Sequence, residues 1–125
     1  MKVFVYGTLR EGEANAYLLK EAVKLGDTCL TSGYKLYDLG AYPAAVASLA
    51  GAPLFGEVYR IDAEILRDLD WLEEYPVEYG RTEIETPYGR AWIYLYNQSV
   101  TGLPVIEKGD WCLRKARLRS RTLFR

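Results

Sequence analysis

The chemistry open to this chain is limited first by a missing residue type, since its 125 residues include no histidine. That absence excludes Ser-His and Cys-His nucleophilic sites and most zinc sites. A carboxylate whose pKa is raised toward neutrality by burial is the commonest remaining group for general acid and base work. The candidates for proton transfer are therefore acidic side chains that face the core.

One glutamate meets this condition, in a segment whose apolar residues predict a helix from residue 63 to about residue 75. Asp62 is the expected N-cap, and Pro76 ends the pattern. At about 100° per residue, Glu73 falls inside the apolar stripe beside Leu69, while Glu74 falls on the opposite face. Loss of hydration would raise the pKa of Glu73, which makes it the candidate general base.

A structural role for Glu73 is the alternative, and periodicity alone leaves it open. The carboxylate could pair with a cation such as Arg81, or it could reach solvent at a frayed helix end.

The second candidate is the opening stretch, where a run of β-branched and aromatic residues breaks at Gly7. The run predicts a buried strand covered on both faces. Gly7 could simply relieve crowding at the end of that strand. Alternatively, the backbone amides of Gly7, Thr8 and Leu9 could point into a pocket and bind a carboxylate or carbonyl oxygen.

The elements that would position these residues follow from local patterns. A short helix is predicted over residues 13–24, and a second over 63–75. Short β runs are predicted at 28–30, 34–39 and 54–61, and a hairpin at 81–85 and 90–96. Residues 97–109 are expected to form a loop, after which Trp111 and its neighbours pack back on the body.

Length and composition indicate one compact domain that is soluble and cytoplasmic. No apolar run has membrane-spanning length, and no signal peptide is expected. Cys29 and Cys112 lie far apart and match no zinc or redox motif, so buried free thiols are expected. The sequence contains no phosphate-binding glycine motif, and no cofactor or metal is expected.

Charge divides the chain into a domain at residues 1–113 and a basic tail at 114–125. The tail carries six Lys and Arg residues and no acid, which leaves ten basic residues against seventeen acidic ones in the body. The acidic body argues against a nucleic-acid-binding surface there. The tail could contact an acidic partner, nucleic acid or membrane, but a solvated flexible terminus is the preferred interpretation.

Several ordered motifs together resemble the γ-glutamylcyclotransferase-like family, especially its γ-glutamylamine cyclotransferase branch and its small bacterial members. They are Val5-Tyr6-Gly7-Thr8-Leu9, Tyr42-Pro43-Ala44, Gly56-Glu57-Val58-Tyr59, Leu69-Asp70-Trp71-Leu72-Glu73 and Tyr79-Gly80-Arg81. The resemblance runs from Val3 to about Trp111 and leaves the basic tail outside.

The resemblance implies an α+β (mixed α/β) fold, built as a small mixed β-barrel flanked by short helices. It implies that Tyr6, Gly7, Thr8 and Leu9 bind a small γ-glutamyl substrate, and that Glu73 serves as acid and base. The implied reaction releases 5-oxoproline without a covalent intermediate. Glu74 departs from the family pattern, which often has a small residue there, and Ala16 departs from a common histidine.

A binding module that retains the pocket without the reaction is the alternative function, because a fold alone does not determine activity. Tyr79 and Arg81 are interpreted as structural, as a packed tyrosine and a member of an ion pair. The leaving amine and the oligomeric state remain open.

Overall fold

The computed structural model describes residues 1–113, which include a six-stranded mixed sheet, an α-helix and a short 3₁₀ helix. The predicted basic tail at 114–125 lies outside the described residues. The strands are β1 Lys2–Val5, β2 Val23–Asp38, β3 Pro43–Ala47, β4 Ala52–Arg60, β5 Tyr79–Thr86 and β6 Gly89–Tyr96. The 3₁₀ helix is Ala16–Leu19, and α1 is Ala63–Leu72.

Strand β1 lies in the interior of the sheet, whose order is β3-β2-β4-β1-β6-β5. It runs antiparallel to β4 and parallel to β6. Val3 and Val5 pack in one apolar cluster, while Phe4 packs in a second cluster, as the alternation of a strand requires. The expectation of a strand buried on both faces is confirmed. The loop after β1 therefore begins in the interior of the sheet, between β4 and β6.

Tyrosine hydroxyls join the two halves of the curled sheet. Tyr6 donates a hydrogen bond to the carbonyl of Tyr94 in β6 at 2.7 Å and accepts one from the amide of Ala45 in β3 at 3.3 Å. Tyr79 at the start of β5 donates to the carbonyl of Pro43 at 2.7 Å. The sheet is therefore a half-barrel, and the prediction of an α+β fold built on a small mixed β-barrel is confirmed.

The predicted helix over residues 13–24 is wrong except for the 3₁₀ turn at Ala16–Leu19. From Val23 onward the chain pairs with β4, and ladder hydrogen bonds outweigh the weak preference of a short isolated helix. The two β runs predicted at 28–30 and 34–39 are parts of the single long strand β2. Register shifts after Lys24 and after Leu30 interrupt its pairing with β4.

Helix α1 begins as predicted and ends earlier than predicted. The Asp62 carboxylate accepts a hydrogen bond from the amide of Ile65 at 2.8 Å. The helix stops at Leu72, with Glu73 as C-cap. Glu74 then adopts a left-handed conformation with φ 51°, so its predicted place on the opposite helix face is wrong.

The predicted hairpin and C-terminal contact are both confirmed. Strands β5 and β6 pair in register from Tyr79↔Tyr96 to Thr86↔Gly89. Trp111 packs back on the body and is 2% exposed. Cys29 and Cys112 are free thiols and only partly buried. Across residues 1–113, no helix has the length and apolar character needed to cross a membrane.

Candidate active site

A cavity of about 350 Å³ lies where β1 ends, and we call it the inner cavity. Its wall includes all five residues that the sequence nominates: Tyr6, Gly7, Thr8, Leu9 and Glu73. The loop after β1 and the end of α1 thus meet at one site, although 64 positions separate Leu9 from Glu73. Sharing a cavity does not assign their roles, which stay predictions.

The loop after β1 is tied down through its carbonyl oxygens. The carbonyl of Gly7 accepts a hydrogen bond from the Arg10 amide at 3.0 Å, and that of Thr8 accepts one from the Asn15 amide at 2.8 Å. The Asn15 side chain also donates to the Thr8 hydroxyl at 2.8 Å. Within residues 1–113, the N–H groups of Gly7, Thr8 and Leu9 donate no hydrogen bond.

Gly7 lines the cavity, and its close approach to Pro43 leaves no room for a side chain. A Cβ atom at this position would lie 2.6 Å from Cγ and 2.8 Å from Cδ of Pro43. Such distances are far inside van der Waals contact, so a side chain would displace the loop or β3. The crowding interpretation of Gly7 is therefore correct, and it is compatible with ligand binding by the neighbouring amides.

Ion pairs and hydrogen bonds anchor the chain just after the loop, at Arg10 and Glu11, and the sequence did not indicate them. Arg10 Nε lies 3.0 Å from Glu57 Oε2, and Arg10 Nη1 lies 2.9 Å from Asp110 Oδ1. The other oxygen of Glu57 accepts hydrogen bonds from the amide of Glu11 at 2.9 Å and the hydroxyl of Tyr59 at 2.8 Å. Glu57 is 3% exposed, so these bonds compensate its burial.

Glu73 is partly buried in the cavity wall at the end of α1. Burial raises the pKa of Glu73 to about 7, with a further contribution from the negative charge of Glu78. No described residue gives the Glu73 carboxylate a hydrogen bond or an ion pair. Glu73 can therefore both accept and donate a proton near neutral pH.

The proposed structural partner of Glu73 is engaged elsewhere. Arg81 forms a two-point ion pair with Asp70, at 2.8 and 3.1 Å, and Tyr94 donates a hydrogen bond to the same carboxylate at 2.6 Å. The guanidinium also stacks on the rings of Tyr75 and Trp92, at 4.5 and 4.3 Å. The alternative of a Glu73–Arg81 pair is wrong, whereas the ion-pair role of Arg81 is confirmed.

Glu78 and Tyr42 are cavity residues that the sequence analysis did not assign. The Tyr42 hydroxyl donates a hydrogen bond to Glu78 Oε1 at 2.7 Å, and this bond raises the pKa of Tyr42 to about 12. The two residues are 36 positions apart, so no local pattern could pair them. Tyr79 also lines the cavity, and its buried, hydrogen-bonded hydroxyl confirms that it is a packed tyrosine.

The inner cavity combines backbone donors with acidic side chains. Among its described lining residues, Glu73, Glu74 and Glu78 are carboxylates, and none is lysine or arginine. No cluster of metal-ligating side chains occurs within residues 1–113. The arrangement can transfer protons at neutral pH and can bind an anionic group through neutral amides.

Comparison with known proteins gives a consistent result along the described chain. The family model for "Gamma-glutamyl cyclotransferase, AIG2-like" matches residues 3–113. The Escherichia coli family protein YtfP is 47% identical over 111 residues, which cover 89% of this chain and 96% of YtfP. Its solution structure superposes with a TM-score of 0.74, over 92% of this chain and 99% of that chain.

Two more distant relatives extend the comparison. A Niallia circulans protein, named γ-L-glutamyl-butirosin B γ-glutamyl cyclotransferase, is 34% identical over 110 residues, covering 77% of this chain and 67% of that protein. The crystal structure of a mouse AIG2-like protein, 28% identical, has a TM-score of 0.72 over 85% of each chain. This chain belongs to the AIG2-like γ-glutamyl cyclotransferase family.

Proposed function

We propose that this protein releases 5-oxoproline from γ-glutamyl amides by intramolecular aminolysis, with Glu73 as acid and base. The observation that carries the proposal is the environment of Glu73. Burial raises the pKa of its carboxylate to about 7, the carboxylate forms no hydrogen bond or ion pair with another described residue, and the side chain lines the same cavity as the loop after β1.

The substrate supplies its own nucleophile in this reaction. The α-amine of the γ-glutamyl group attacks the γ-carbonyl carbon, and the new C–N bond closes a five-membered lactam. The original γ C–N bond then breaks, and the amine leaves. Holding the γ-glutamyl group in a bent conformation removes much of the entropic barrier, so neither a nucleophilic side chain nor a cofactor is needed.

Glu73 accounts for the proton movements. Its ionised carboxylate accepts a proton from the substrate's α-ammonium group, which frees the amine for attack. The protonated carboxyl then gives this proton to the departing nitrogen as the γ C–N bond breaks. Glu73 next takes the second proton from the attacking nitrogen as the neutral lactam forms and passes it to the released amine or to water, so that the cycle ends with Glu73 ionised. General acid and base catalysis of this kind contributes about 10²- to 10⁴-fold.

The loop after β1 orients the substrate in this proposal. The N–H groups of Gly7, Thr8 and Leu9 bind either the α-carboxylate or the oxygen that becomes negative in the tetrahedral intermediate. Their lack of donated hydrogen bonds within residues 1–113 supports such a role. Tyr6 lines the pocket beside them. The printed name of the Niallia circulans relative, a cyclotransferase, supports the reaction class.

The test is to incubate the purified protein with γ-glutamyl amides, γ-glutamyl dipeptides and glutathione, and to follow 5-oxoproline by mass spectrometry. The corresponding α-glutamyl amides are the matched control, because their α-amine cannot close the same ring onto the scissile amide. We expect turnover of γ-linked substrates only. Saturable binding of the panel without 5-oxoproline would contradict the enzyme and support a binding module.

A further inference from the structure

We propose that the leaving amine of the substrate carries a second, positively charged group besides the nitrogen of the scissile amide. Glu74 selects this group at the mouth of the inner cavity. This inference rests on the proposed function and names its substrate class. Three features support it: the charge of the cavity wall, a neighbouring recess and the backbone conformation of Glu74.

The cavity wall carries more negative charge than the single ammonium of a γ-glutamyl group can balance. That group carries one ammonium and one carboxylate, and Glu73 is assigned to proton transfer. Glu74 and Glu78 therefore remain as two further carboxylates, and no lysine or arginine occurs among the described lining residues. Glu78 already accepts a hydrogen bond from Tyr42, but a neutral leaving group would leave Glu74 without a partner among the described residues and neither charge offset by a cation. A cationic leaving group would offset both charges.

A second recess of about 430 Å³ adjoins the inner cavity, and we call it the outer recess. The two share Leu72 and Glu74 in their walls, so Glu74 stands between them. The outer recess also contains Trp71, which is 85% exposed, and Tyr75. A carboxylate beside an exposed indole is a favourable environment for an ammonium group.

The other carboxylate of the outer recess is not available for this task. Asp70 is bound by Arg81 and accepts a hydrogen bond from Tyr94. Glu74 has neither an ion pair nor a side-chain hydrogen bond with a described residue and is exposed. Glu74 is therefore the acidic group of this recess that can meet an incoming cation.

The backbone places Glu74 in a conformation that is costly for any residue other than glycine. After α1, the Glu74 amide donates to the carbonyl of Trp71 at 3.2 Å, and the Tyr75 amide donates to that of Asp70 at 2.9 Å. This is the Schellman pattern, whose left-handed position usually belongs to glycine. Glu74 occupies that position with φ 51°, at a cost of about 1–2 kcal/mol. A strained side chain at a cavity rim is the kind of outlier from which a functional role is inferred.

Two isosteric substrates test the inference: the γ-glutamyl amides of 1,5-diaminopentane and of n-hexylamine. They match in chain length and differ by a terminal ammonium in place of a methyl group. We expect the wild-type kcat/KM to favour the cationic amide about fivefold, as for an exposed charge pair. In Glu74→Gln the ratio should fall to about twofold or less, while Glu83→Gln, an exposed glutamate outside both walls, keeps the wild-type ratio.

The outcomes separate this inference from the function on which it rests. Turnover of both amides at equal kcat/KM, or an unchanged ratio in Glu74→Gln, would overturn the inference and leave the cyclotransferase standing. Absence of 5-oxoproline from both amides and from the wider γ-glutamyl panel would overturn both. As an independent check, the ratio should shrink as ionic strength rises, because salt screens exposed charges.

Discussion

Asp70 and Arg81 form a two-point ion pair, with Nε 2.8 Å from Oδ1 and Nη2 3.1 Å from Oδ2. Asp70 lies about one helical turn before Glu73 and binds the Arg81 guanidinium, which the sequence offered as a partner for Glu73. Glu73 is thereby left without a cation among the described residues, and burial together with the charge of Glu78 raises its pKa. The same ion pair fixes the end of α1 against β5, which sets where Glu73 enters the cavity.

The first prediction concerns the pH dependence of activity. Since Glu73 must be ionised to accept a proton, kcat/KM should rise with pH through about 7. Glu78→Gln removes a neighbouring negative charge, so the pKa of Glu73 should fall and the rising limb should move to lower pH. Initial rates from pH 5 to 9 measure this, with Glu83→Gln as control. A limb that stays in place or moves upward would refute the coupling of the two carboxylates.

The second prediction concerns stability. Because the pKa of Glu73 is raised from 4.5 to about 7, the native state binds more protons than the unfolded state between these values. The stabilising effect of protonation is complete below about pH 4.5 and is lost as pH rises through 7. Glu73→Gln should therefore exceed wild type in free energy of unfolding by about 1–3 kcal/mol at pH 8.

Urea denaturation at pH 4.5 and pH 8 measures this difference. The stability gain of Glu73→Gln should be small at the lower pH, where the wild-type carboxyl is already protonated. A gain of equal size at both pH values would contradict the raised pKa, because it would reflect packing rather than ionisation.

The third prediction concerns the end of α1. Glu74→Gly should raise the free energy of unfolding by about 1 kcal/mol, since glycine adopts the left-handed conformation without strain. That corresponds to an increase in Tm of about 3–6 °C for a chain of this size. Glu74→Ala retains the steric cost and is the matched control. Equal Tm values for the two variants would show that Glu74 is not strained.

The fourth prediction concerns the contact between Gly7 and Pro43. Gly7→Ala should destabilise the protein by about 1–3 kcal/mol and lower kcat, because the new methyl group collides with the proline ring and shifts the loop. Pro43→Ala removes the colliding Cγ and Cδ atoms. In a double-mutant cycle, the cost of Gly7→Ala should therefore be smaller in the Pro43→Ala background. If the two free-energy changes are strictly additive, the cost of Gly7→Ala does not come from a collision with Pro43.

Local sequence patterns predicted the parts of the fold that local physics controls. The apolar run of β1, the Asp62 cap and the proline-glycine hairpin turn depend on residues near one another, and all three are present. Helical periodicity also placed Glu73 on the inward side. Periodicity failed one residue later at Glu74, because a rotation of about 100° per residue holds only within a helix, and α1 has already ended in the Schellman turn.

The remaining features depend on contacts between distant residues. The length of β2 is set by pairing with β3 and β4, which overrides the helical pattern near Val23. The bond between Tyr42 and Glu78 spans 36 positions, and the ion pair between Arg10 and Glu57 spans 47. A single sequence carries no signal for such pairs. The sequence therefore predicted the loop after β1 and Glu73 as parts of the site, but not Tyr42 and Glu78 in the same cavity wall.

The most direct test of the account is 5-oxoproline formation by Glu73→Gln at pH 8, measured at saturating γ-glutamyl amide beside wild type and Glu83→Gln. The glutamine keeps the size of the side chain but cannot accept or return a proton. We expect kcat to fall about 10²- to 10⁴-fold, with Glu83→Gln at the wild-type rate. Circular dichroism would establish that the variant is folded. A folded Glu73→Gln protein that forms 5-oxoproline as fast as wild type would contradict the central claim.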